Sequence, residues 1–124
     1  MTKRVLIVDD EPNIVISLEF LLKREGFAVS VARDGEEALA AIRAQVPDLV
    51  ILDVMMPRLD GFSVLSQVRA DPAVAAVPVL MLTAKGREAE QKKGLALGAN
   101  AYLPKPFSTH ELIAKAKALL AGPA

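Results

Sequence analysis

Five residues of this sequence have the types and positions to do chemistry together: Asp9, Asp10, Asp53, Thr83 and Lys105. Each stands at the end of an apolar run. Val5-Leu6-Ile7-Val8 runs into Asp9-Asp10, Val50-Ile51-Leu52 into Asp53, Val79-Leu80-Met81-Leu82 into Thr83, and a shorter fourth run leads to Lys105. Continuous apolar runs of this length read as strands covered on both faces. A parallel α/β sheet gathers its reactive groups at the C-terminal ends of such strands. Three carboxylates at one edge repel, because like charges raise one another's pKa. A cation relieves that repulsion. An oxygen-only donor set favours a hard ion, Mg²⁺ first, with Mn²⁺ as the alternative. Lys105 lies between Pro104 and Pro106, which stiffen its turn, and it offers a point charge to a carboxylate or a phosphate. Thr83 offers a hydroxyl to a phosphoryl oxygen, and the small Ala84 leaves room beside it. Each residue alone has a plainer reading as a helix cap, a solvated lysine or a turn threonine. Their recurrence at one strand end after another argues for a site.

The elements that must position them alternate strictly. Strands are predicted at residues 4–8, 28–32, 49–52, 79–82 and 101–103. A helix follows each one. The first starts at Glu11-Pro12-Asn13, with proline tolerated in the opening turn, and turns Ile14, Leu18, Leu21 and Leu22 inward. The second spans 35–44 with Ala38, Leu39 and Ile42 inside. Pro57-Arg58-Leu59-Asp60-Gly61 is a turn signal before a third helix at 62–69, which carries Val64, Leu65 and Val68. The fourth lies within 84–97 and has only a weak apolar stripe. The last opens at Ser108, which stands at capping-box spacing from Glu111, and buries Leu112, Ile113, Ala116, Leu119 and Leu120. Residues 121–124 read as a frayed end. Five βα units with right-handed crossovers give an α/β fold: a five-stranded parallel sheet of order 2-1-3-4-5, flavodoxin-like and doubly wound, in three layers. That order sets strands one and three side by side, which brings Asp9, Asp10 and Asp53 to the switch point where ligands bind.

Length and composition narrow the classes. The chain has 124 residues, enough for one core, so residues 1–124 are expected to form one domain. Fifteen Lys and Arg balance fifteen Asp and Glu, so the basic stripe of a nucleic-acid binder is missing. With no cysteine and the single His110, thiolate and multi-histidine metal sites are excluded. No apolar run approaches the roughly 18 residues of a membrane span, and the N-terminus does not resemble a signal peptide. A cytoplasmic domain without membrane insertion is expected.

Taken in order, Val8-Asp9-Asp10-Glu11, Leu52-Asp53-Val54-Met55-Met56-Pro57 with Asp60-Gly61, Thr83-Ala84-Lys85, Gly98-Ala99-Asn100 and Lys105-Pro106-Phe107 resemble the receiver domain of bacterial two-component response regulators, including the single-domain chemotaxis regulators. The resemblance covers essentially the whole chain. It implies that Asp53 is the phosphoacceptor. It further implies that Asp10 and Asp53 bind Mg²⁺ directly, together with the backbone carbonyl of Met55, while Asp9 acts partly through water. Thr83 and Lys105 would contact the phosphoryl group from two sides. Tyr102 would couple the site to the surface of the fourth helix, fifth strand and fifth helix.

The resulting expectation is a phosphoacceptor signalling domain. It would take a phosphoryl group from a sensor histidine kinase or a histidine phosphotransfer protein, then change its surface for a downstream target or effector domain. Slow autodephosphorylation, rather than turnover on a metabolite, follows from the lack of a strong general base. The alternative is a phosphorylation-independent adaptor of the same fold, which the intact five-residue set argues against. A phosphatase with an aspartyl nucleophile would need an acid-base Asp where Met55 stands. A flavin carrier would need a glycine- and hydroxyl-rich loop where Asp9-Asp10-Glu11 would repel phosphate. Asn100 and Ala101 are neutral where dimerising receivers of DNA-binding regulators carry acidic residues, so a monomer or a weak phosphorylation-dependent dimer is expected.

Overall fold

The computed structural model describes residues 2–56, 58–84 and 88–121. Its elements run β1 (Arg4–Val8), α1 (Pro12–Arg24), β2 (Ala28–Ala32), α2 (Gly35–Ala44), β3 (Leu49–Asp53), α3 (Gly61–Ala70), β4 (Val79–Ala84), α4 (Glu88–Ala96), β5 (Ala101–Lys105) and α5 (Thr109–Leu120). The five strands form one parallel sheet in the order β2-β1-β3-β4-β5, as the alternation predicts.

Side chains alternate across the sheet and separate two cores. Val5 and Ile7 of β1, Leu49 and Ile51 of β3, and Leu80 and Leu82 of β4 pack with α1 and α5 through Leu18, Leu22, Leu112 and Ala116. The intervening residues Leu6, Val8, Val50, Leu52, Val79 and Met81 pack with α2 and α3 through Leu39, Ile42, Val64, Leu65 and Val68. Central strands buried on both faces must be apolar throughout. This is why β1, β3 and β4 read as continuous runs, while the edge strand β2 alternates between exposed and half-buried residues from Ala28 to Val31 and buries only Ala32.

The starts of α2, α3 and α5 are fixed by side-chain caps. Asp34 accepts from the Glu37 amide at 2.8 Å, Asp60 from the Ser63 amide at 2.8 Å, and Ser108 from the Glu111 amide at 3.0 Å. Each cap satisfies an amide that the first turn would otherwise leave without a partner.

Several boundaries differ from the sequence reading. The inner face of α1 is Val15, Leu18, Leu21 and Leu22, with Ile14 only half-buried. Ala84 closes β4, and the fourth helix, Glu88–Ala96 among the described residues, lies within the 84–97 span read from the sequence. Thr83 lies inside β4, and Pro104 and Lys105 belong to β5 instead of a loop after it. Their register explains the extension, since Thr83 pairs with Pro104 and Ala84 with Lys105. Proline is tolerated there because β5 is an edge strand with one unpaired side. Pro57, Lys85 and residues 122–124 lie outside the described residues.

Candidate functional site

Strand parity places the key groups. Asp9 continues the Val5, Ile7 series of β1, Asp53 the Leu49, Ile51 series of β3, and Lys105 the Ala101, Leu103 series of β5, all on the α1/α5 side of the sheet. Thr83 continues the Val79, Met81 series of β4 on the opposite side. Tyr102, opposite Met81 in the β4–β5 register, packs half-buried against the core of that same side.

The geometry at the strand ends is tight. One oxygen from each of Asp9, Asp10 and Asp53 lies within 4.8 Å of the others, an arrangement able to hold a divalent metal ion. Asp9 is fully buried and Asp53 is 6% exposed, while Asp10 opens to solvent. The Lys105 Nζ reaches Asp9 Oδ2 at 3.1 Å and Asp53 Oδ2 at 3.3 Å, with Glu11 Oε2 at 4.0 Å. The remaining oxygen of Asp9 accepts from the Glu11 amide at 3.0 Å. That of Asp53 accepts from the Met55 amide at a long 3.4 Å.

Among the described residues, the Lys105 ammonium by itself does not balance this charge. Burial, and then the neighbouring Asp9 carboxylate, push the Asp53 carboxyl up to about 6, against the pull of Lys105. Burial works to lower the Lys105 pKa, but Asp53 and Asp9 outweigh it and hold the ammonium above its ordinary value. The oxygen-only donor set and the excess negative charge both fit a hard divalent ion.

Two further features equip the site. Thr83 is 2% exposed, and its Oγ1 has no hydrogen-bond partner among the described residues. A buried hydroxyl without a partner is costly, and it is free to donate to an incoming acceptor. Gly61, the first residue of α3, lies against the end of β3. A Cβ there would collide with the Asp53 carbonyl oxygen and sit 2.9 Å from Val54 Cα. The Asp60-Gly61 turn signal therefore also records a close approach of backbones. Glu11, at the rim beside Lys105, was read from the sequence as part of the acidic motif and of the helix start and was not assigned to the site. Its signal was the position directly after the acidic pair, at the entry to α1.

The carboxylate cluster at the β1/β3 switch point can now be set beside known proteins. Residues 5–117 match the family model of the response regulator receiver domain. The chain belongs to that family. It is 48% identical over 120 residues to the alkaline phosphatase synthesis transcriptional regulatory protein PhoP of Bacillus subtilis, a match covering 97% of this chain and 49% of that protein. The chain thus spans about half the length of that curated relative. A crystal structure from Chloroflexus aurantiacus, described as that of a response regulator, superposes with a TM-score of 0.94 at 40% identity, covering 98% of this chain and 99% of that one. The receiver domain of a sensor histidine kinase from Pseudomonas aeruginosa, solved with a magnesium ion coordinated in its active-site cleft, gives a TM-score of 0.90 at 30% identity, covering 98% and 100%. With the acidic cluster in place, this receiver domain is a phosphoacceptor signalling domain of the two-component type.

Proposed function

We propose that Asp53 accepts a phosphoryl group from the phosphohistidine of a sensor kinase or histidine phosphotransfer protein. One observation carries this reading: a nearly buried carboxylate at the switch point, facing two more carboxylates and Lys105. An Asp53 oxygen attacks phosphorus, the P–N bond breaks, and its electron pair stays on the imidazole. Lys105, already within reach of Asp53, supplies fixed positive charge beside the reacting oxygens. Thr83 turns its unpaired hydroxyl to the phosphoryl oxygens. Asp9, Asp10, Asp53 and the Met55 carbonyl would hold Mg²⁺, which supplies charge neutralisation and alignment of the transferred group. Support for that ion comes from the donor set and from the magnesium-bound receiver of similar fold. Water later attacks the phosphorus, the bond between phosphorus and the Asp53 oxygen breaks, and inorganic phosphate leaves Asp53 as a carboxylate.

The output is a population shift. Thr83 and Tyr102 lie on the same side of the sheet, so movement of the hydroxyl toward the phosphoryl group opens space on the Tyr102 side. The β4–β5 edge and the faces of α4 and α5 would then present an altered surface to a downstream protein.

The test is incubation with acetyl phosphate, with and without Mg²⁺, followed by intact mass. The expected result is a Mg²⁺-dependent gain of one phosphoryl group that Asp53→Asn loses. Labelling of Asp53→Asn at the wild-type level would overturn the assignment.

A further inference from the structure

The loop between β3 and α3 touches the acceptor at both of its ends. The Met55 amide donates to Asp53 Oδ1, and Gly61 lies against the Asp53 carbonyl. The Gly61 amide closes the loop by donating to the Val54 carbonyl at 2.9 Å. Something must hold this loop in place, because its Arg58 adopts the left-handed region with φ 68°, which a side chain disfavours by roughly 1 kcal/mol.

The restraint comes from α2. Gly35, its buried first residue, lies directly against Leu59. A Cβ on Gly35 would collide with the Leu59 carbonyl oxygen and sit 2.6 Å from Leu59 Cβ and 2.9 Å from its carbonyl carbon. Leu59 in turn packs half-buried against the α2–α3 core. Arg58 reaches the same helix end, with Nη1 3.4 Å from Glu36 Oε2 and Nε 3.9 Å from Asp34 Oδ2. The α2 and α3 starts share one design, an Asp cap followed by a glycine against foreign backbone. They form a continuous stack: Gly35 on Leu59, then Asp60 and Gly61, then Gly61 on Asp53.

We propose that the N-terminal end of α2 is the abutment of this loop, which makes Gly35 and Arg58 positioning residues for Asp53 and for the Met55 group beside it. The inference rests on the reading of Asp53, Asp10 and the Met55 carbonyl as the Mg²⁺ site. Most of the restraint lies in the Gly35 packing, since the Arg58 ion pairs are exposed and solvent-screened. Groups that orient metal ligands without touching the metal typically set affinity by about tenfold or more.

Two readouts test it, the Mg²⁺ dissociation constant by calorimetry and hydrogen exchange of the Gly61 amide in metal-free protein. Gly35→Ala is expected to weaken Mg²⁺ about tenfold and to speed Gly61 exchange. Arg58→Ala is expected to weaken Mg²⁺ about twofold. The sign is informative, because removing a cation near the cluster would by its field alone tighten Mg²⁺. Arg69→Ala, at the opposite edge of the sheet, should lower the melting temperature without moving either readout. A folded Gly35→Ala with wild-type Mg²⁺ affinity and wild-type Gly61 exchange overturns the abutment. If Gly35→Ala does not fold, Arg58→Ala carries the test, and unchanged Gly61 exchange in it overturns the proposal. If wild type itself binds no Mg²⁺, the reading of the metal site falls and this inference falls with it.

Discussion

The two edges of the sheet treat charge in opposite ways. At the N-terminal edge, Arg69 is surrounded by acceptors. Its Nε donates to the Gly98 carbonyl at 3.0 Å, its Nη1 to the Ala75 and Val77 carbonyls at 2.9 and 2.7 Å, and its Nη2 to Asn100 Oδ1 at 2.9 Å. The same Asn100 oxygen accepts from the Val79 amide at 2.8 Å. One guanidinium therefore ties the end of α3 to the entries of β4 and β5. Burial lowers its pKa, yet a guanidinium remains charged at any physiological pH. At the C-terminal edge the carboxylates of Asp9 and Asp53 share Lys105, and the Thr83 hydroxyl has no partner among the described residues. The first edge is polar and satisfied, which stabilises the fold. The second leaves negative charge and a donor open, which favours an incoming cation and an incoming phosphoryl group. Substitutions at the two edges should consequently separate stability from chemistry.

The largest separation is expected from Asp53→Asn. Mg²⁺-dependent phosphorylation by acetyl phosphate should vanish in intact-mass spectra, while metal-free stability at pH 8 rises. Arg69→Ala should do the reverse. Losing four charge-assisted hydrogen bonds should cost about 2–4 kcal/mol by urea unfolding, with phosphorylation of the folded protein unchanged. Equal damage to both properties in either variant would break the comparison.

A pH series sharpens it further. The Asp53 carboxyl titrates near 6 in the folded metal-free protein and near its ordinary 3.8 when unfolded. The folded state therefore binds more protons between those values, and stability falls as pH rises from about 4 to about 6. Above that window the penalty is fully present, on the order of 1–2 kcal/mol after allowance for coupling to Lys105. Lys105, raised above its ordinary value, stays protonated throughout and adds no slope in this range. Denaturant midpoints across pH 4–8 should show the fall in wild type and lose it in Asp53→Asn or with saturating Mg²⁺.

The smallest effect is expected from Thr83→Val. Removing a buried hydroxyl that has no partner should leave metal-free stability unchanged or raise it by up to about 1 kcal/mol. Phosphorylation should persist, but the chemical-shift change at Tyr102 on phosphorylation should shrink. A stability loss of several kcal/mol would show that Thr83 serves the core rather than the site.

Much of the site was legible because its residues interrupt patterns. Asp9 and Asp53 stand out as charges closing apolar runs, and Asp60-Gly61 as a turn before a periodic helix. Burial on both faces leaves little freedom in composition, so β1, β3 and β4 announce themselves. Thr83 and Lys105 were found by type but placed one element too late, because strand ends depend on pairing. Pro104 and Lys105 are extended because Thr83 and Ala84 pair with them. Gly35 read simply as a helix start, and nothing local told that Leu59 lies against it.

By itself the sequence determined the alternation of strands and helices, the order of the sheet and which polar residues stand at the C-terminal ends of its strands. Periodicity, caps and apolar runs are local, and handed crossovers leave few topologies. Only the tertiary structure decided which carboxylate is buried and which exposed, that Lys105 bridges Asp9 and Asp53, that Thr83 faces the opposite side of the sheet, and that Arg69 and Asn100 clamp the far edge. Those outcomes depend on distances between residues far apart in the chain. Coulomb energy, desolvation and steric exclusion all act through such distances, so they take values only once the strands are side by side.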